Sequence, residues 1–516
     1  MTPAVLIAGG LVADGTGAEP IARDVLVRDG VVVDLLTPGA AVEAERLDAT
    51  GMLVAPGFVD IHTHSDLGRI SSPDAASRAL QGITTEVIGN CGMSPAPLGR
   101  DLAEFRTVIG PIDTVPDLEL AWHDTASYLE VLDQTPGATN LVPLLGHGSL
   151  RHAVMGLRVG AADATERATM QSLLTEALAQ GFWGMSLGFM YAPGEGSDER
   201  ELLGLLGELR AAGGLLASHL RAYSQAGLPG AIDEVLRLAR AAEVPLEISH
   251  LRSLNDDGTA IQRAFELLAA TEVDVQADAY PYLAGHTTLL QLLPSELRSA
   301  GVADILALAA AEPGSLAAAL RSAQQFDASA ITIARARAGA PEVGHDLAAL
   351  ASEHEDWAAV AERLLVEADG NVDMIVVGTR PEDAARVLAD PLVSVASDGS
   401  ALALDHHHNV PHPRSIGTFP RAFRELADAG MPLGAIVHKM TAKPAARLGL
   451  DRGVLAAGRV ADLVVLDPAR IADRASYAEP LVPPAGIHHV IVAGQHVVRD
   501  GVATGARPGA LLRRQR

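Results

Sequence analysis

The sequence predicts an α/β protein built around a (β/α)8 TIM barrel, with a small β unit made from both ends of the chain and an insertion after the seventh barrel strand. Three observations lead to this prediction. Eight short apolar runs alternate with helix-like stretches rich in Ala, Leu, Glu and Arg. The two ends of the chain carry similar strand-like segments. Residues of the kinds that bind metals follow several of the runs, where a barrel presents its functional side chains.

The eight apolar runs are the predicted barrel strands. They are FVDIHTH (58–64), ITTEVIGN (83–90), TNLVPLLGH (139–147), FWGMSLG (182–188), GLLASH (214–219), PLEISH (245–250), VDVQAD (273–278) and LVSVASD (392–398). Strands that alternate with helical patterns are typical of a parallel sheet. The spacing after the second run is long, and that between 278 and 393 is large enough to hold an inserted subdomain at roughly 285–345.

The two ends of the chain resemble each other. Residues 5–17 read VLIAGGLVADGTG, and residues 490–505 read VIVAGQHVVRDGVATG. Both show strand-like alternation broken by a glycine-containing turn, which is typical of short hairpins. We therefore predict that the ends meet in one β unit of residues 1–54 and 450–516, beside a barrel of residues 55–449.

Composition narrows the possible partners and the location. The chain has 516 residues, 48% of them hydrophobic and 20% charged, with a net charge of −25. This charge argues against nucleic acid or an anionic membrane as a partner, since phosphate binding needs clustered Lys and Arg. The single cysteine excludes a disulfide framework, and the first residues lack the basic segment of a signal peptide. The sequence thus predicts a cytoplasmic protein.

Six residues that can bind metals follow the predicted strands. His62 and His64 point the same way if their strand continues, because alternate residues of a strand share a face. The other four lie at the ends of the second, fifth, sixth and eighth strands: Cys91, His219, His250 and Asp398. Each alone has an ordinary explanation, such as a buried small hydrophobe for the cysteine or a helix N-cap for the aspartate. Their convergence at one mouth of one barrel predicts a metal site, and imidazole with one thiolate favours zinc.

The same residues carry a family resemblance. The HxH of strand 1, the single histidines of strands 5 and 6 and the aspartate of strand 8 resemble the amidohydrolase superfamily. Strand 4 lacks the lysine with which many of its members bridge two metals. The chain is instead similar to the N-acyl-D-amino-acid deacylase (D-aminoacylase) family, where a strand-2 cysteine is a ligand. The matching motifs are GFVDIHTHSD, GNCGMSPAP, GHGSLR, GMSLGFMYAPG, SHLR, ISHLR, DAYPY, SDG, HPRSIGTFPR and GRVADLVVLDP.

The resemblance implies a barrel with a small β-sandwich domain and a set of site roles. Cys91, His219 and His250 would hold a tight Zn2+. His62 and His64, near Asp398, would form a weaker second metal position. Asp398 would be the general base. This chemistry suits amide hydrolysis, since an amine leaves poorly unless a base passes it a proton.

The resemblance also implies a set of substrate-binding residues: Tyr191, Arg252, Tyr280, His286 and Arg414. Arg252 stands where the family usually has a lysine that binds the substrate's α-carboxylate, and His286 stands where it usually has a serine. Arg221 would face the site beside His219 if its strand continues, and the alternative is an ion pair with an acidic residue at the barrel rim. The run DHHHNVPH (405–412) is interpreted as a loop over the mouth, and His412 is the residue of this run expected to take part in the site.

The leading hypothesis is a zinc-dependent hydrolase that cleaves an N-acyl-D-amino acid, a small-molecule substrate, into a carboxylate and a D-amino acid. A dipeptidase or cyclic-amide hydrolase of the same superfamily is the first alternative. A catalytically inactive barrel that serves as a metal-binding scaffold is the second, and it would retain tight zinc without hydrolysing any amide.

Overall fold

A computed structural model describes residues 4–99, 101–110, 115, 118–298, 300–405 and 410–515. Eight parallel strands form its central sheet. In sheet order they are β8 (Phe58–Asp60), β9 (Ile83–Ile88), β10 (Asn140–Gly146), β11 (Gly184–Gly188), β12 (Leu215–His219), β13 (Leu246–Ile248), β14 (Val275–Ala279) and β18 (Val393–Val395). The eight predicted strands, and the barrel that they imply, are therefore confirmed.

The barrel closes between its first and last strands. Thr63 and Gly399 form a parallel bridge just beyond β8 and β18. The amide of Asp398 donates to the carbonyl of His62 (2.9 Å), and the amide of His64 donates to that of Gly399 (2.8 Å). β8 itself ends at Asp60, earlier than the predicted end at 64, so both histidines lie after the strand, on either side of the bridging residue Thr63.

Arg78 is buried at this closure and joins several elements. Its guanidinium forms ion pairs with Asp60 on β8 and with Glu86 on β9. It also donates to the hydroxyl of Ser397 (2.6 Å) and to the carbonyl of Ser415 (3.1 Å). One side chain thus connects β8, β9 and the segment after β18 that carries Asp398.

Apolar side chains fill the barrel on both faces of the sheet. Val142 and Leu144 of β10 point into the interior, where they pack with Val87 and Leu215. Leu141 and Leu145 point outward against the helices. Strands buried on both faces are expected in a parallel barrel, because helices cover the outside.

Helices cover the outside of the barrel and also occur in the insertion, and several of them begin at a side chain that caps the helix end. Asp163, for example, accepts from the amide of Glu166, whose carboxylate accepts from the amide of Asp163. The helices are α1 (Gly68–Ser71), α2 (Leu102–Val108), α3 (Thr125–Gln134), α4 (His147–Met155), α5 (Ala164–Gln180), α6 (Glu199–Ala212), α7 (Leu228–Ala242), α8 (Thr259–Ala270), α9 (Ser295–Arg298), α10 (Val302–Ala311), α11 (Ser315–Ser322), α12 (Leu347–Leu350), α13 (Trp357–Glu367), α14 (Pro381–Ala389), α15 (Arg414–Asp428), α16 (Leu433–Met440) and α17 (Ala442–Leu448).

Two lysines lie in the last two helices. The Nζ of Lys439 on α16 donates to the carbonyls of Asp390 (2.5 Å) and Val393 (2.6 Å). Burial lowers the pKa of this amine to about 8. Lys443 on α17 is partly buried. Lys439 therefore ties α16 to the start of the last barrel strand.

Two sheets face each other beside the barrel. The first contains β5 (Val31–Leu36), β4 (Asp24–Arg28), β1 (Val5–Ala8) and β6 (Glu45–Asp48). The second contains β22 (Val502–Ala503), β21 (Gln495–Arg499), β20 (Ile487–Val492), β19 (Leu463–Leu466), β7 (Leu53–Pro56), β2 (Leu11–Val12) and β3 (Ile21–Ala22). β7 pairs with β19, so strands from both ends share one sheet. Buried side chains such as Ile7, Val25 and Ile491 fill the space between the sheets. We propose that these sheets form a domain close to the predicted limits, with β7 extending to residue 56. Gly509 and Leu511 bridge instead to Gly137 and Leu141 beside the barrel.

An inserted unit follows β14. Its three antiparallel strands are β15 (Ala284–Thr288), β16 (Ile331–Arg335) and β17 (Asp373–Val377), and α9 to α13 lie between them. The unit extends beyond the predicted end near 345, because β17 is the central strand and pairs with both others. In the described part of the chain no single helix could span a membrane. Only α10 and α11, bent by 114°, pass the length and composition criteria together.

Candidate metal centre

Six side chains converge at the carboxyl ends of the barrel strands. One ligand atom from each of His62, Cys91, His250 and Asp398 lies within 4.8 Å of the others. His64 joins this group through Nε2, which is 3.0 Å from Asp398 Oδ1. The rings of His219 and His250 have centroids 4.6 Å apart. The structure therefore brings together all six residues that the sequence predicted as metal ligands.

Three of these residues have an unusual backbone conformation. The φ angles of Cys91, His250 and Asp398 are 55°, 35° and 52°. Residues other than glycine rarely adopt a positive φ angle, because this backbone conformation is strained for them. Such strain is maintained only where the surrounding structure imposes it, often at functional sites. Gly89 assists the turn that carries Cys91, because a Cβ there would lie 1.9 Å from the carbonyl oxygen of Leu144. The chain thus turns sharply to aim these ligands into the mouth.

The electrostatics of the cluster suit a bound cation. Burial raises the pKa of the Cys91 thiol, but the charges of His62 and His250 outweigh it and hold this pKa well below its usual range. Burial lowers the pKa of His219 to about 4, and both of its ring nitrogens lack a hydrogen-bond partner in the described structure. Burial lowers the pKa values of His62 and His64, but Asp278, Asp398 and the Cys91 thiolate raise both above the usual range, so a metal ion that binds these rings displaces their protons. Thiolate and imidazole are the ligand types that zinc prefers. The donor set therefore fits this metal.

Asp278 and Tyr223 orient the histidines of the cluster. Asp278 lies at the end of β14, where Oδ2 accepts from His62 Nδ1 (3.2 Å) and Oδ1 accepts from the amide of His250 (2.7 Å). The hydroxyl of Tyr223 lies 3.1 Å from His250 Nδ1 and accepts from the amide of Leu220. These contacts leave Nε2 of both histidines facing Cys91, at 3.3 and 3.4 Å. Partners of this kind fix the orientation of metal-binding histidines.

Asp398 has two different surroundings. Oδ1 faces the histidines, at 3.0 Å from His64 Nε2 and 3.5 Å from His62 Nε2. Oδ2 accepts from Nη1 of Arg414 at 2.6 Å. Burial raises the pKa of Asp398, but Arg414 and the nearby histidines hold it well below its usual range. The carboxylate is therefore ionised and has one oxygen directed at the cluster.

A cavity of about 520 Å³ opens directly onto the cluster. On the barrel side it is lined by His64, Cys91, His219, His250 and Asp398. On the side of the inserted unit it is lined by apolar residues that include Leu292, Leu293, Phe326, Met374 and Val376. Its volume is in the range of cavities that bind small molecules.

Arg252 is a cation of this cavity that has no acidic partner. Arg221 forms an ion pair with Glu234, and Arg414 forms one with Asp398. In the described part of the chain, Arg252 forms no ion pair with a carboxylate. Its Nη1 donates to the hydroxyl of Tyr280, and its Nε is buried without a partner. The cavity thus combines a candidate metal centre with a guanidinium that can receive an anion.

Comparison with known proteins decides the family. The model of the amidohydrolase family matches residues 45–498. The chain belongs to the amidohydrolase family.

Similar amidohydrolases cover nearly the whole chain. A D-aminoacylase from Alcaligenes xylosoxydans xylosoxydans is 34% identical over 99% of this chain and 97% of its own length. A crystal structure of D-aminoacylase is 32% identical, covers 99% of both chains and superposes with a TM-score of 0.84. The N-acyl-D-glutamate deacylase from Bordetella bronchiseptica, complexed with zinc and a phosphonate mimic of the tetrahedral intermediate, is 32% identical, covers 99% of this chain and 100% of its own, and superposes with a TM-score of 0.81.

The predicted substrate residues of this amidohydrolase occupy different positions. Tyr191, Arg252, His286 and Arg414 line the cavity. The Tyr191 hydroxyl lies 3.2 Å from that of Thr287, and burial lowers the pKa of His286 to about 4. Tyr280 is not among the described residues that line the cavity, and it contacts Arg252 instead.

Two further predictions concern the rim of the mouth. For Arg221 the structure shows the rim ion pair, with Glu234, rather than a free guanidinium. His412 is buried, and its Nε2 lies 3.1 Å from the carbonyl oxygen of Ala284. Residues 406–409 of the predicted loop lie outside the described residues.

Sequence reasoning missed Asp278 and Tyr223. Asp278 ends the seventh predicted strand, so the rule that drew attention to His219 and His250 could have found it. Tyr223 lies four residues after His219 in SHLRAY, beyond the strand, and the sequence carries no signal that its hydroxyl contacts another strand's histidine.

Proposed function

We propose that this amidohydrolase is a zinc-dependent deacylase that hydrolyses N-acyl-D-amino acids to a carboxylate and a D-amino acid. One observation carries the proposal: a buried cluster of thiolate, imidazoles and carboxylate opens into the same cavity as the guanidinium of Arg252. An N-acyl amino acid has an amide bond that the cluster could hydrolyse and a carboxylate that Arg252 could bind. The relatives named above act on molecules of this kind, as their names state.

We assign the tight Zn2+ to Cys91, His219 and His250, and a second, weaker metal position to His62, His64 and Asp398. Six ligands exceed what one tetrahedral zinc ion takes, which supports a second position. When bound, zinc lowers the pKa of a coordinated water to about 7 and polarises a carbonyl group.

Asp398 is the proposed general base. It accepts a proton from the attacking water as the water oxygen bonds to the carbonyl carbon. It then passes this proton to the amide nitrogen as the C–N bond breaks, which gives a carboxylic acid and a neutral amine. The remaining proton of the acid passes to the amine, so the final products are a carboxylate and an ammonium group. Its position supports this role, because Oδ1 faces the cluster while Arg414 holds Oδ2.

Arg252 is the proposed partner of the substrate's α-carboxylate. It lacks an acidic partner within the described structure, and an arginine–carboxylate contact with two parallel hydrogen bonds is both strong and directional. Tyr280 would hold this guanidinium in place. Tyr191 and His286 line the cavity and would contact the rest of the substrate.

The experiment is the release of free amine by zinc-loaded enzyme from paired N-acetyl-D- and N-acetyl-L-amino acids, with Asp398→Asn as the inactive control. Turnover of the D series in preference to the L series is the expected result. Turnover of dipeptides or cyclic amides alone would replace the proposal with the first alternative. Tight zinc binding with no turnover of any amide would support the second alternative, an inactive barrel that serves as a metal-binding scaffold.

We propose that the enzyme works in the cytoplasm. Cys91 is the only cysteine, is buried, and is assigned here as a thiolate ligand, a role that requires no oxidising compartment. Fractionation of the native host followed by detection with an antibody tests this proposal, and recovery in the extracellular fraction would contradict it.

A further inference from the structure

Gly285 lies against the guanidinium of Arg252. A Cβ at residue 285 would stand 2.4 Å from both Nη1 and Nη2 of Arg252 and 2.8 Å from its Cζ. These are the nearest atoms that such a Cβ would meet, and both Nη atoms are closer to it than Cζ, so the end of the guanidinium that carries Nη1 and Nη2 points at the glycine. Gly285 is on β15, the first strand of the inserted unit.

The backbone conformation at residue 285 does not require a glycine. Gly285 has no positive φ angle, so an alanine could adopt its conformation without strain. The atoms that a Cβ would displace belong to the far end of a flexible side chain and not to the core or the sheet. The space left by the glycine is therefore occupied by Arg252.

The contacts of the guanidinium leave one edge without a hydrogen-bond partner in the described structure. Nη1 donates to the hydroxyl of Tyr280, and the rings of Tyr223 and Tyr280 have centroids 5.8 and 5.6 Å from Cζ. Nε is buried without a partner in the described structure. The Nε and Nη2 groups lie on the same edge of the plane, and this edge matches the two oxygens of a carboxylate.

We propose that Gly285 is a specificity-determining residue, because its missing side chain makes room for the Nη1–Nη2 end of Arg252 and so lets the Nε–Nη2 edge face a free carboxylate beside the scissile amide. The inference rests on the proposed function. Its consequence concerns the selectivity of the proposed carboxylate subsite: the room left by Gly285 sets how strongly the enzyme prefers a free α-carboxylate to the corresponding carboxamide. A side chain at position 285 tilts the guanidinium and removes this selection.

The test is a double-mutant cycle on the zinc-loaded enzyme. It uses the wild type, Gly285→Ala, Arg252→Lys and the double variant, with N-acetyl-D-methionine and its carboxamide as substrates. Gly285→Ala should raise KM for the carboxylate about tenfold with little change in kcat, the scale of a lost charge-assisted contact. In the Arg252→Lys background the same change should alter KM less than about twofold, because no guanidinium remains to be displaced.

The carboxamide and a remote glycine provide the controls. Wild type and Gly285→Ala should hydrolyse the carboxamide equally poorly. Gly207→Ala on α6, where a Cβ would meet no atom within 4 Å, should leave every parameter unchanged. An unchanged KM in Gly285→Ala overturns the inference. So does an equal effect in the wild-type and Arg252→Lys backgrounds, which would mean that the glycine acts without the guanidinium.

Two further measurements separate this inference from the proposed function. If Gly285→Ala does not fold, Arg252→Met decides: retention of the full preference for carboxylate over carboxamide would show that the guanidinium for which Gly285 makes room does not select the carboxylate, and it overturns the inference. If the wild type hydrolyses no N-acyl-D-amino acid, the proposed function fails, and calorimetric binding of N-acetyl-D-methionine to the zinc-loaded protein replaces turnover. An affinity about tenfold weaker in Gly285→Ala then supports the inference, and equal affinity or absence of binding overturns it.

Discussion

Asp278 Oδ2 lies 3.2 Å from His62 Nδ1, and both side chains are buried. The other oxygen of the same carboxylate accepts from the amide of His250. Asp278 thus fixes a histidine of the first barrel strand relative to one of the sixth, without itself belonging to the candidate ligand cluster.

Asp278→Asn should weaken zinc affinity by about 10–100-fold, the usual effect of losing a partner that orients a ligand. The amide cannot provide a negative charge opposite His62 and supplies one acceptor where two are needed. Titration with a competing chelator measures the change. Asp274→Asn, at the exposed start of the same segment, is the control and should keep wild-type affinity. Equal affinities for both variants would contradict the role assigned to Asp278.

Cys91→Ala should lose zinc and hydrolytic activity together, because no other side chain in the cluster provides a thiolate. Metal content by mass spectrometry and amine release measure the two properties. If Cys91 were only a small buried hydrophobe, alanine would be tolerated and the metal content would stay at the wild-type level.

Asp398→Asn should keep the tight zinc and lower kcat by about 100-fold or more, the scale of a lost general base. The ligands of the tight position remain, whereas the amide cannot accept the proton of water. Metal content and steady-state kinetics, measured on the same preparation, check both parts. A rate near that of the wild type would exclude Asp398 as the base.

Arg78→Met should destabilise the protein by about 3–5 kcal/mol, because it leaves Asp60 and Glu86 buried without their cation. Denaturant unfolding measures the free energy. Arg263→Met removes an exposed ion pair with Glu266 and should change stability by less than about 1 kcal/mol. Similar values for the two variants would show that Arg78 does not hold the barrel closure.

The free energy of unfolding should decrease at acidic pH, partly because His489 in the terminal β-sheet becomes protonated. Burial lowers the pKa of His489 to about 4, although Asp500 opposes this. Between about pH 6.5 and 4 the unfolded chain therefore binds more protons at this site than the folded protein, and this contribution to stability is lost as the pH falls through that window.

His489→Gln cannot take up a proton and should make the unfolding temperature less dependent on pH between about 7 and 4. Calorimetric scans across this range test the prediction. His354→Gln, at an exposed position, should retain the wild-type dependence. A wild-type slope in His489→Gln would exclude His489 as a source of acid sensitivity.

The fold and the ligand cluster could be predicted because each depends on a local pattern. Eight apolar runs mark the barrel strands, and the rule that function lies at strand ends selects residues such as Cys91 and His250 without knowledge of distances. Contacts between distant segments could not be predicted this way. Three features depend on how the segments pack. They are the ion pair of Arg414 with Asp398, the lack of an acidic partner for Arg252 within the described structure, and the position of β17 between β15 and β16.

The position of Lys439 has a practical consequence for handling the enzyme. The chain contains only two lysines, Lys439 and Lys443, and the rest of its 39 Lys and Arg residues are arginines. Lys439 is buried with its Nζ held by two carbonyl groups, so Lys443 is left as the only partly accessible side-chain amine. Reagents that couple proteins to resins or dyes through lysine should therefore modify the folded enzyme sparsely. Coupling through carboxylates, which the chain has in excess, suits its immobilisation better.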